Sequence, residues 1–312
     1  MHIANPIYDV VFKYLMEDSK IAKLMISSII GEKIERLTFL PQEFVSDINA
    51  PKRKQKKLSN KGTLTVYRLD FSAKIKTKDG YRNVIIELQK AKFPTDIVRF
   101  RKYLAEQFAN KENLQRVRIK GKMRRVGIPV ISIYFLGHKL DHTTASVIKV
   151  SRQYTDLITN QPIEKKETFI ESLTLDSYVI QVPFLTGNRR NDLEILLSIF
   201  DQSAYVDSEH HILNINPEDY PEKYRSIIRR LQQATLDGEV KKKMEMEDGI
   251  INELEDMERD IELLEEENEQ VKQKLDSVEQ EKEQVKQKLD SVEQENELLR
   301  KRLEELEKPQ EK

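Results

Sequence analysis

Two stretches of sequence decide the fold: residues 67–75 read Y-R-L-D-F-S-A-K-I, and residues 83–90 read N-V-I-I-E-L-Q-K. Both contain apolar runs typical of strands, and the K-D-G-Y turn between them is typical of a β-hairpin. Because side chains alternate between the faces of a strand, Glu87 and Gln89 are expected on one face. A hairpin can bring Asp70 beside them.

These polar residues interrupt otherwise apolar runs. Asp70 and Glu87 each stand among apolar neighbours, where an ionised carboxylate is costly without a compensating positive charge. Two converging carboxylates repel each other unless a cation lies between them, and oxygen ligands suit Mg²⁺ or Mn²⁺. Such a metal polarises a phosphate and activates water, so the pattern predicts phosphodiester hydrolysis. The alternative is a pair of solvated carboxylates on a surface hairpin.

The order of these motifs resembles a known nuclease group. Asp70 followed by E-L-Q is similar to the D…E-x-Q signature of the PD-(D/E)XK nuclease superfamily, and specifically to the bacterial Rpn-like proteins, described as recombination-promoting nucleases or transposase-like proteins. The segment N-P-I-Y-D-V-V-F-K-Y-L at 5–15 resembles their opening D-x-x-F-K helix. The segment G-I-P-V-I-S-I-Y-F-L at 127–136 resembles the buried strand that follows their long helix. The resemblance spans about residues 1–235.

This resemblance implies an α/β fold with a restriction-endonuclease-like mixed sheet flanked by helices. It also implies a Mg²⁺-dependent (or Mn²⁺-dependent) DNA endonuclease. Asp70 and Glu87 would then ligate the metal together with a carbonyl, expected to be that of Leu88. Gln89 would orient the attacking water.

One departure from the superfamily pattern concerns charge. Most members carry Lys at the position of Gln89, where it stabilises developing charge electrostatically. Lys90 is adjacent but is expected on the opposite face of the strand. Lys13 is the candidate to supply the missing charge, with Asp9 one helical turn before it. An exposed helical salt bridge explains Asp9 and Lys13 equally well.

Composition excludes several other classes of site. The chain has no cysteine, which excludes disulfides, thiol catalysis and Cys-ligated zinc and fits a reducing cytoplasm. His138 and His142 are four residues apart, but they follow a strand-like run and are expected to be ordinary loop histidines, with a zinc site as the alternative. No apolar run reaches membrane-spanning length and no signal-peptide core opens the chain. We therefore expect a cytoplasmic protein, nucleoid-associated if bacterial, with no membrane partner.

Charge is distributed unevenly. Residues 1–239 carry 39 Lys and Arg against 29 Asp and Glu, a net charge of +10, whereas residues 240–312 carry a net charge of −11. A basic body suits a polyanion, and we expect double-stranded DNA, with RNA left open. The candidate phosphate contacts lie in two basic clusters and on one helix: Lys52, Arg53, Lys54, Lys56, Lys57, Arg99, Arg101, Arg116, Arg118, Lys120 and Lys122. Ordinary solvated loops are the alternative for each cluster.

The remaining elements are expected to form one domain over residues 1–236. Apolar spacing predicts two short helices within 6–30 and a helix over 94–115. We also expect a first strand within 34–48, a polar loop over 49–62, a buried strand over 128–136, an edge strand over 178–185 because of Pro183, and helices over 192–204 and 218–236, the last ending at Gly238.

The sequence pattern of the tail, residues 240–308, predicts a parallel dimeric coiled coil. Apolar residues alternate in steps of three and four, and Leu, Ile or Val fill twelve of sixteen a and d positions. Asn268, Lys282 and Asn296 fall at a positions, where polar residues favour two strands. Five g-to-e pairs have opposite charges: Glu267–Lys272, Lys274–Glu279, Glu281–Lys286, Lys288–Glu293 and Glu295–Arg300. A solvated single helix is the alternative.

Together these features predict a homodimeric endonuclease that cuts both strands of a duplex. Because Gln89 stands where most members carry Lys, a second hypothesis is a non-catalytic dimeric DNA-binding or scaffold protein on a decayed nuclease fold. A third is a coiled-coil assembly factor whose basic domain binds an acidic protein. Metal dependence and DNA affinity distinguish the three.

Overall fold

The computed structural model describes residues 1–40, 70–78, 80–90, 94–119, 121–187, 189–206, 208 and 210–307. The chain divides into two compact units, Met1–Asp248 and Gly249–Lys312. The strands are β1 (His2–Ala4), β2 (Arg36–Phe39), β3 (Asp70–Thr77), β4 (Gly80–Gln89), β5 (Leu114–Ile119), β6 (Lys122–Gly127), β7 (Val130–Leu136), β8 (Val147–Val150), β9 (Tyr154–Asp156), β10 (Gln161–Ile163), β11 (Leu175–Gln181) and β12 (Ile212–Asn214). The helices are α1 (Asp9–Met16), α2 (Ser19–Ile30), α3 (Pro94–Ala109), α4 (Thr168–Leu173), α5 (Asp192–Leu197), α6 (Arg225–Ala234) and α7 (Gly238–Glu307).

A six-stranded mixed sheet organises the first unit, in the order β2-β3-β4-β7-β11-β8. β2, β3 and β4 pair antiparallel, β4, β7 and β11 pair parallel, and β8 returns antiparallel at the edge. β4 is central because its run Val84, Ile85, Ile86 and Leu88 is apolar on both faces, as a strand covered on both sides requires. The expected mixed α/β architecture is confirmed at this level.

Helices cover both faces of this sheet. On one face, α1, α2, α5 and α6 enclose the main core, and the Phe12 ring of α1 lies 5.4 Å from the Phe135 ring of β7. On the other face, α3 packs Phe100 against Ile85 and Val130. The residues that alternate along β4 therefore face two different helical layers.

The two predicted N-terminal helices are confirmed, and their ends follow from capping. The Asp18 side chain accepts hydrogen bonds from the main-chain N–H of Lys20 and Ile21, which starts α2. Gly31 ends α2 in the left-handed conformation, φ 72°, which glycine adopts without steric cost. The predicted first strand is β2; residues 41–48 and the predicted loop over 49–62 lie outside the described residues.

The edge position predicted for residues 178–185 is wrong. β11 lies inside the sheet, parallel to β7 and antiparallel to β8. Pro183 does not break the pairing because it falls beyond the strand, in the short 3₁₀ turn Val182–Phe184. The edge is formed instead by β8, a four-residue strand that the sequence analysis did not identify.

Three predicted helices are shorter than expected. α3 ends at Ala109, and the chain continues into a separate two-stranded sheet of β5 and β6, so the basic cluster there is a hairpin and not a loop. The predicted helix over 192–204 is helical only to Leu197 and continues as 3₁₀ turns. The predicted helix over 218–236 begins in 3₁₀ turns, and its regular part is α6.

Gly238 starts a helix instead of ending one. The preceding Asp237 carboxylate accepts a hydrogen bond from the Glu239 N–H at 2.9 Å, which caps the N-terminus of α7. α7 then runs for 70 residues to Glu307, and its apolar a and d side chains from Met257 to Leu303, such as Leu275 and Val292, are at least half exposed. The long C-terminal helix is confirmed, and its pairing into a coiled coil stays a prediction. None of the helices described is long and apolar enough to cross a membrane.

Candidate active site

Strand register sets the geometry of the candidate site. In the antiparallel pair of β3 and β4, Asp70 lies directly opposite Glu87. Directly opposed residues of an antiparallel pair occupy the same face of the sheet. Gln89 is two residues beyond Glu87, at the end of β4, and occupies that face as well. The side chain of Asp70 lies outside what the structure describes, so its placement is a statement about the backbone.

Glu87 is a buried carboxylate, with 6% of its surface exposed. It sits beside Tyr134 in the parallel pairing of β4 and β7. Burial raises the pKa of Tyr134; a hydrogen bond with Ser132 opposes this, and the negative charge of Glu87 adds to the rise. The Phe100 ring of α3 lies 4.2 Å from the Tyr134 ring and closes this face. Glu87 is therefore held in an environment where an ionised carboxylate calls for a positive charge.

Sequence reasoning missed two further polar residues on the same face. Ser72 on β3 lies directly opposite Ile85 on β4, and Asn83 is the first residue of the buried part of β4. The Ser72 hydroxyl and both polar atoms of the Asn83 amide are buried and have no hydrogen-bond partner within the described part of the chain. Leaving such groups unsatisfied costs about 1–3 kcal/mol each. The signal in the sequence was a polar residue, Asn83, directly before an apolar run.

The end of β4 is fixed by a close approach of the backbone. The Gln89 carbonyl accepts a hydrogen bond from the Gly137 N–H at 2.7 Å. A Cβ atom at Gly137 would lie 2.2 Å from the Lys90 carbonyl oxygen, far inside van der Waals contact. Only glycine fits there, so Gly137 sets the position of the chain immediately after Glu87 and Gln89.

Lys90 lies on the opposite face, as the alternation predicts. Its Nζ lies 2.5 Å from Oδ1 of Asp248 at the start of α7 and 3.5 Å from the centroid of the Tyr8 ring. The same Asp248 carboxylate pairs with His211 Nε2 at 2.7 Å and accepts a hydrogen bond from the Tyr8 hydroxyl at 3.0 Å. Burial acts to raise the pKa of Asp248, but the hydrogen bonds from Lys90 and His211 outweigh it and lower that pKa.

Asp9 and Lys13 lie on α1, which packs on the Lys90 side of the sheet. The Asp9 N–H donates to Oε2 of Glu247 at 3.0 Å. Burial, and then the nearby Asp9 carboxylate, raise the pKa of Glu247 to about 8. Lys13 is exposed near the end of α1. The surroundings of Asp9 thus come from residues more than two hundred positions away, and the catalytic roles of Asp9 and Lys13 stay predictions.

The predicted nucleic-acid contacts fall into three groups. Arg116, Arg118 and Lys122 are exposed on the β5–β6 hairpin, and Arg101 is exposed on α3. Arg99 lies on α3, but its side chain is not among those that the structure describes. The other predicted contacts lie outside the described residues: Lys52, Arg53, Lys54, Lys56, Lys57 and Lys120.

The described residues contain no group of three or more His, Asp or Glu side chains that could hold a metal ion. The side chain of Asp70 is not among those described. Comparison with known protein families, with curated proteins and with solved structures finds no match.

Proposed function

We propose that the protein is a metal-dependent endonuclease that hydrolyses phosphodiester bonds of double-stranded DNA. One observation carries this: Asp70 and Glu87 are cross-strand partners on adjacent strands, and the Glu87 carboxylate is buried. A buried carboxylate opposite a second acidic residue is unfavourable without a cation. The resemblance to the Rpn-like PD-(D/E)XK nucleases supports the same conclusion and suggests a restriction-endonuclease-like fold.

The donor set fits a hard divalent cation. Asp70, Glu87 and the Leu88 carbonyl offer only oxygen atoms, the ligands that Mg²⁺ and Mn²⁺ prefer. When bound, the metal would polarise the scissile phosphate and lower the pKa of a water molecule. Gln89 occupies the same face as Glu87 and can orient water or a phosphate oxygen by hydrogen bonds, but it brings no charge.

Dimerisation would direct two sites to one duplex. The apolar a and d side chains of α7 from Met257 to Leu303 form an exposed stripe, which a second copy of this chain would cover. The five g-to-e pairs of opposite charge favour a parallel, in-register partner, although each exposed pair contributes only about 0.2–1 kcal/mol. We propose a homodimer in which each nuclease domain cuts one strand.

A second function remains a candidate because Gln89 replaces the usual Lys. The protein would then be a dimeric DNA-binding or scaffold protein that holds DNA without cutting it. The two functions differ in their need for metal: the binding protein would hold DNA equally well in EDTA and in Mg²⁺.

The test is cleavage of supercoiled plasmid by purified full-length protein in Mg²⁺, in Mn²⁺ and in EDTA. Asp70→Asn and Glu87→Gln keep side-chain size and remove the charge, and Glu164→Gln is the matched control because Glu164 is exposed and lies outside the site. We expect nicking or linearisation by the wild type and the control in either metal, and none by the two site variants. Wild-type DNA binding without cleavage in either metal would instead support the binding protein.

A further inference from the structure

The β5–β6 hairpin forms a two-stranded sheet of its own, inserted between α3 and the central strand β7. We call residues 114–127 the basic arm. Each strand has six residues, so the arm is about 20 Å long. Gly121 turns the chain at its tip with φ 75°, a conformation that glycine adopts readily.

The basic arm carries charge of a single sign. Its sequence contains four Arg and two Lys and no Asp or Glu. Arg116 and Arg125 are directly opposite each other, and like charges in that position destabilise a hairpin. The five described basic side chains are exposed and have no ion pair within the described residues: Arg116, Arg118, Lys122, Arg124 and Arg125. A folded hairpin that retains this repulsion is suited to a polyanion.

The base of the arm is anchored to the domain. Asn113 is buried, and its side-chain amide donates to the Gln107 main-chain and side-chain oxygens at 2.9 Å. The Ile128 N–H donates to the Asn113 carbonyl at 2.8 Å. Gly127 faces Ser172 of α4 so closely that a Cβ atom would lie 3.1 Å from the Ser172 Cβ. The arm therefore projects from a fixed base.

A basic groove continues from this base along the sheet. It has a volume of about 350 Å³, and its lining includes Arg36, Lys74, Lys76, Tyr81 and Leu114. Lys74 and Lys76 alternate along β3 with the same parity as Asp70, so they share its face of the sheet. The groove thus runs from the arm toward the edge strand β2, on the face of the sheet that carries Asp70 and Glu87.

Spacing relates the arm to the candidate site. The Asn83 N–H bonds to the Pro129 carbonyl at the base of the arm, and Asn83 is four residues before Glu87, about 13 Å along the strand. The base of the arm is therefore well within one turn of B-DNA, about 34 Å, from Glu87. A duplex seated over the candidate site therefore reaches the arm within one helical turn.

We infer that the basic arm is a β-ribbon that enters the major groove of duplex DNA next to the cleavage site. The B-DNA major groove is about 12 Å wide and admits a two-stranded ribbon, whereas the major groove of A-form RNA is too narrow. The arm contains no aromatic residue, so it offers no platform on which single-stranded bases can stack. The inference rests on the proposed function in taking nucleic acid as the partner, but it does not require cleavage.

The test measures binding by the full-length protein in EDTA, so that catalysis does not contribute. The arm variant combines Arg116→Gln, Arg118→Gln and Arg125→Gln, which lie on one face of the hairpin. A control variant combines Lys20→Gln, Lys33→Gln and Lys165→Gln, three exposed cations outside the arm. Fluorescence anisotropy compares a DNA duplex, an RNA duplex and single-stranded DNA, and dimethyl sulfate footprinting reports guanine N7 in the major groove.

We expect the arm variant to bind duplex DNA at least about tenfold more weakly than the wild type, with a salt slope smaller by about 2 to 3. The control is expected to bind nearly as the wild type does. Wild-type protein should protect guanine N7, and the arm variant should not. Because the variant removes the Arg116–Arg125 repulsion, its unfolding temperature should equal or exceed that of the wild type, which separates lost contacts from lost folding.

Other outcomes separate this inference from the proposed function. Unchanged duplex affinity in the arm variant, equal losses on RNA and DNA duplexes, or wild-type binding without guanine N7 protection would each overturn groove insertion. Cleavage by the wild type in Mg²⁺ would still support the nuclease in all three cases. A wild-type protein that binds no nucleic acid but does bind an acidic polypeptide such as polyglutamate would overturn both.

Discussion

Asp70 and Glu87 are cross-strand partners: the register of β3 and β4 places them directly opposite each other, and the Glu87 carboxylate is buried. Antiparallel pairing thus brings together two acidic positions that are seventeen residues apart in sequence. A divalent cation between these two positions would offset the repulsion of converging carboxylates. This relationship leads to a prediction about stability that is independent of catalysis.

Mg²⁺ should stabilise the wild-type protein and not the Glu87→Gln variant. A ligand that binds only the folded state adds about 2.7 kcal/mol to the free energy of unfolding at a hundred times its Kd. In EDTA, Glu87→Gln should be at least as stable as the wild type, because an amide is less costly to bury than a carboxylate. Calorimetric unfolding with and without Mg²⁺ measures both effects, with Glu164→Gln as the control. Equal stabilisation of wild type and Glu87→Gln by Mg²⁺ would count against the site.

Gly137→Ala should disrupt the end of β4. The new Cβ atom would lie 2.2 Å from the Lys90 carbonyl oxygen, so β4 or β7 must shift. We expect a loss of about 1–3 kcal/mol in the free energy of unfolding and a loss of cleavage. The control is Gly249→Ala, at which no atom lies within 4 Å and where Ala should favour the helix. Chemical denaturation of both variants measures the free energy of unfolding. A Gly137→Ala variant as stable as the wild type would contradict the close approach of Gly137 to Lys90.

Glu247 should make stability fall as pH rises. Its pKa is raised from 4.5 to about 8 in the folded protein, so the folded state holds a proton that the unfolded state releases between these values. The resulting loss in the free energy of unfolding is absent below about pH 4, grows between pH 4 and pH 8 and is complete above pH 8. Glu247→Gln should remove this slope and gain on the order of 2 kcal/mol at pH 8, a figure reduced for partial exposure. Denaturation curves from pH 5 to 8.5 test this, with Glu239→Gln as the exposed control.

Asp248→Asn should weaken the junction between β4 and α7. Asp248 pairs with Lys90 and His211 and accepts a hydrogen bond from Tyr8, so neutralising it removes the charge that these donors share. We expect a loss of about 1–3 kcal/mol in the free energy of unfolding at pH 7. Because its pKa is lowered in the folded state, the wild-type advantage should be present above its usual value near 3.8 and disappear as pH falls below it. If the difference in the free energy of unfolding between wild type and variant did not change with pH, the role of the Asp248 carboxylate would be contradicted.

The tail should hold two copies together. Val278→Asp places a charge at a d position of the predicted seam, whereas Ser277→Asp places the same charge one residue away, outside the a and d positions. Sedimentation equilibrium should show a dimer for the wild type and for Ser277→Asp, and a monomer or a dimer at least tenfold weaker for Val278→Asp. A monomeric wild-type protein would contradict the proposed homodimer.

Local patterns predicted the elements where hydrophobicity and turns agree. Long and regular runs of apolar residues predicted β4, β7, α1 and α2. The β5–β6 hairpin was missed although Arg116, Val117, Arg118 and Ile119 alternate with a strand period, because the charge density suggested a loop. β1 and β12 have three residues each and pair across the whole domain, so no local signal marks them.

The site was predictable only in part for the same reason. The alternation along β4 correctly separated Lys90 from Gln89, and the K-D-G-Y turn anticipated the pairing of β3 and β4. The partners of Lys90 and Asp9, however, are Asp248 and Glu247 at the start of α7, which only the tertiary fold brings close. Gly137 was likewise unremarkable in sequence, because its role depends on the approach of a neighbouring strand.

The most direct test of a metal site at Asp70 and Glu87 is affinity cleavage of the polypeptide by bound iron. Fe²⁺ added in place of Mg²⁺, with ascorbate and peroxide, releases hydroxyl radicals that cut the chain beside the metal. We expect cuts in the wild type close to residues 70 and 87, suppressed by excess Mg²⁺ and absent in Glu87→Gln. Cuts confined to other segments, or cuts near these residues that persist in Glu87→Gln, would contradict the metal site.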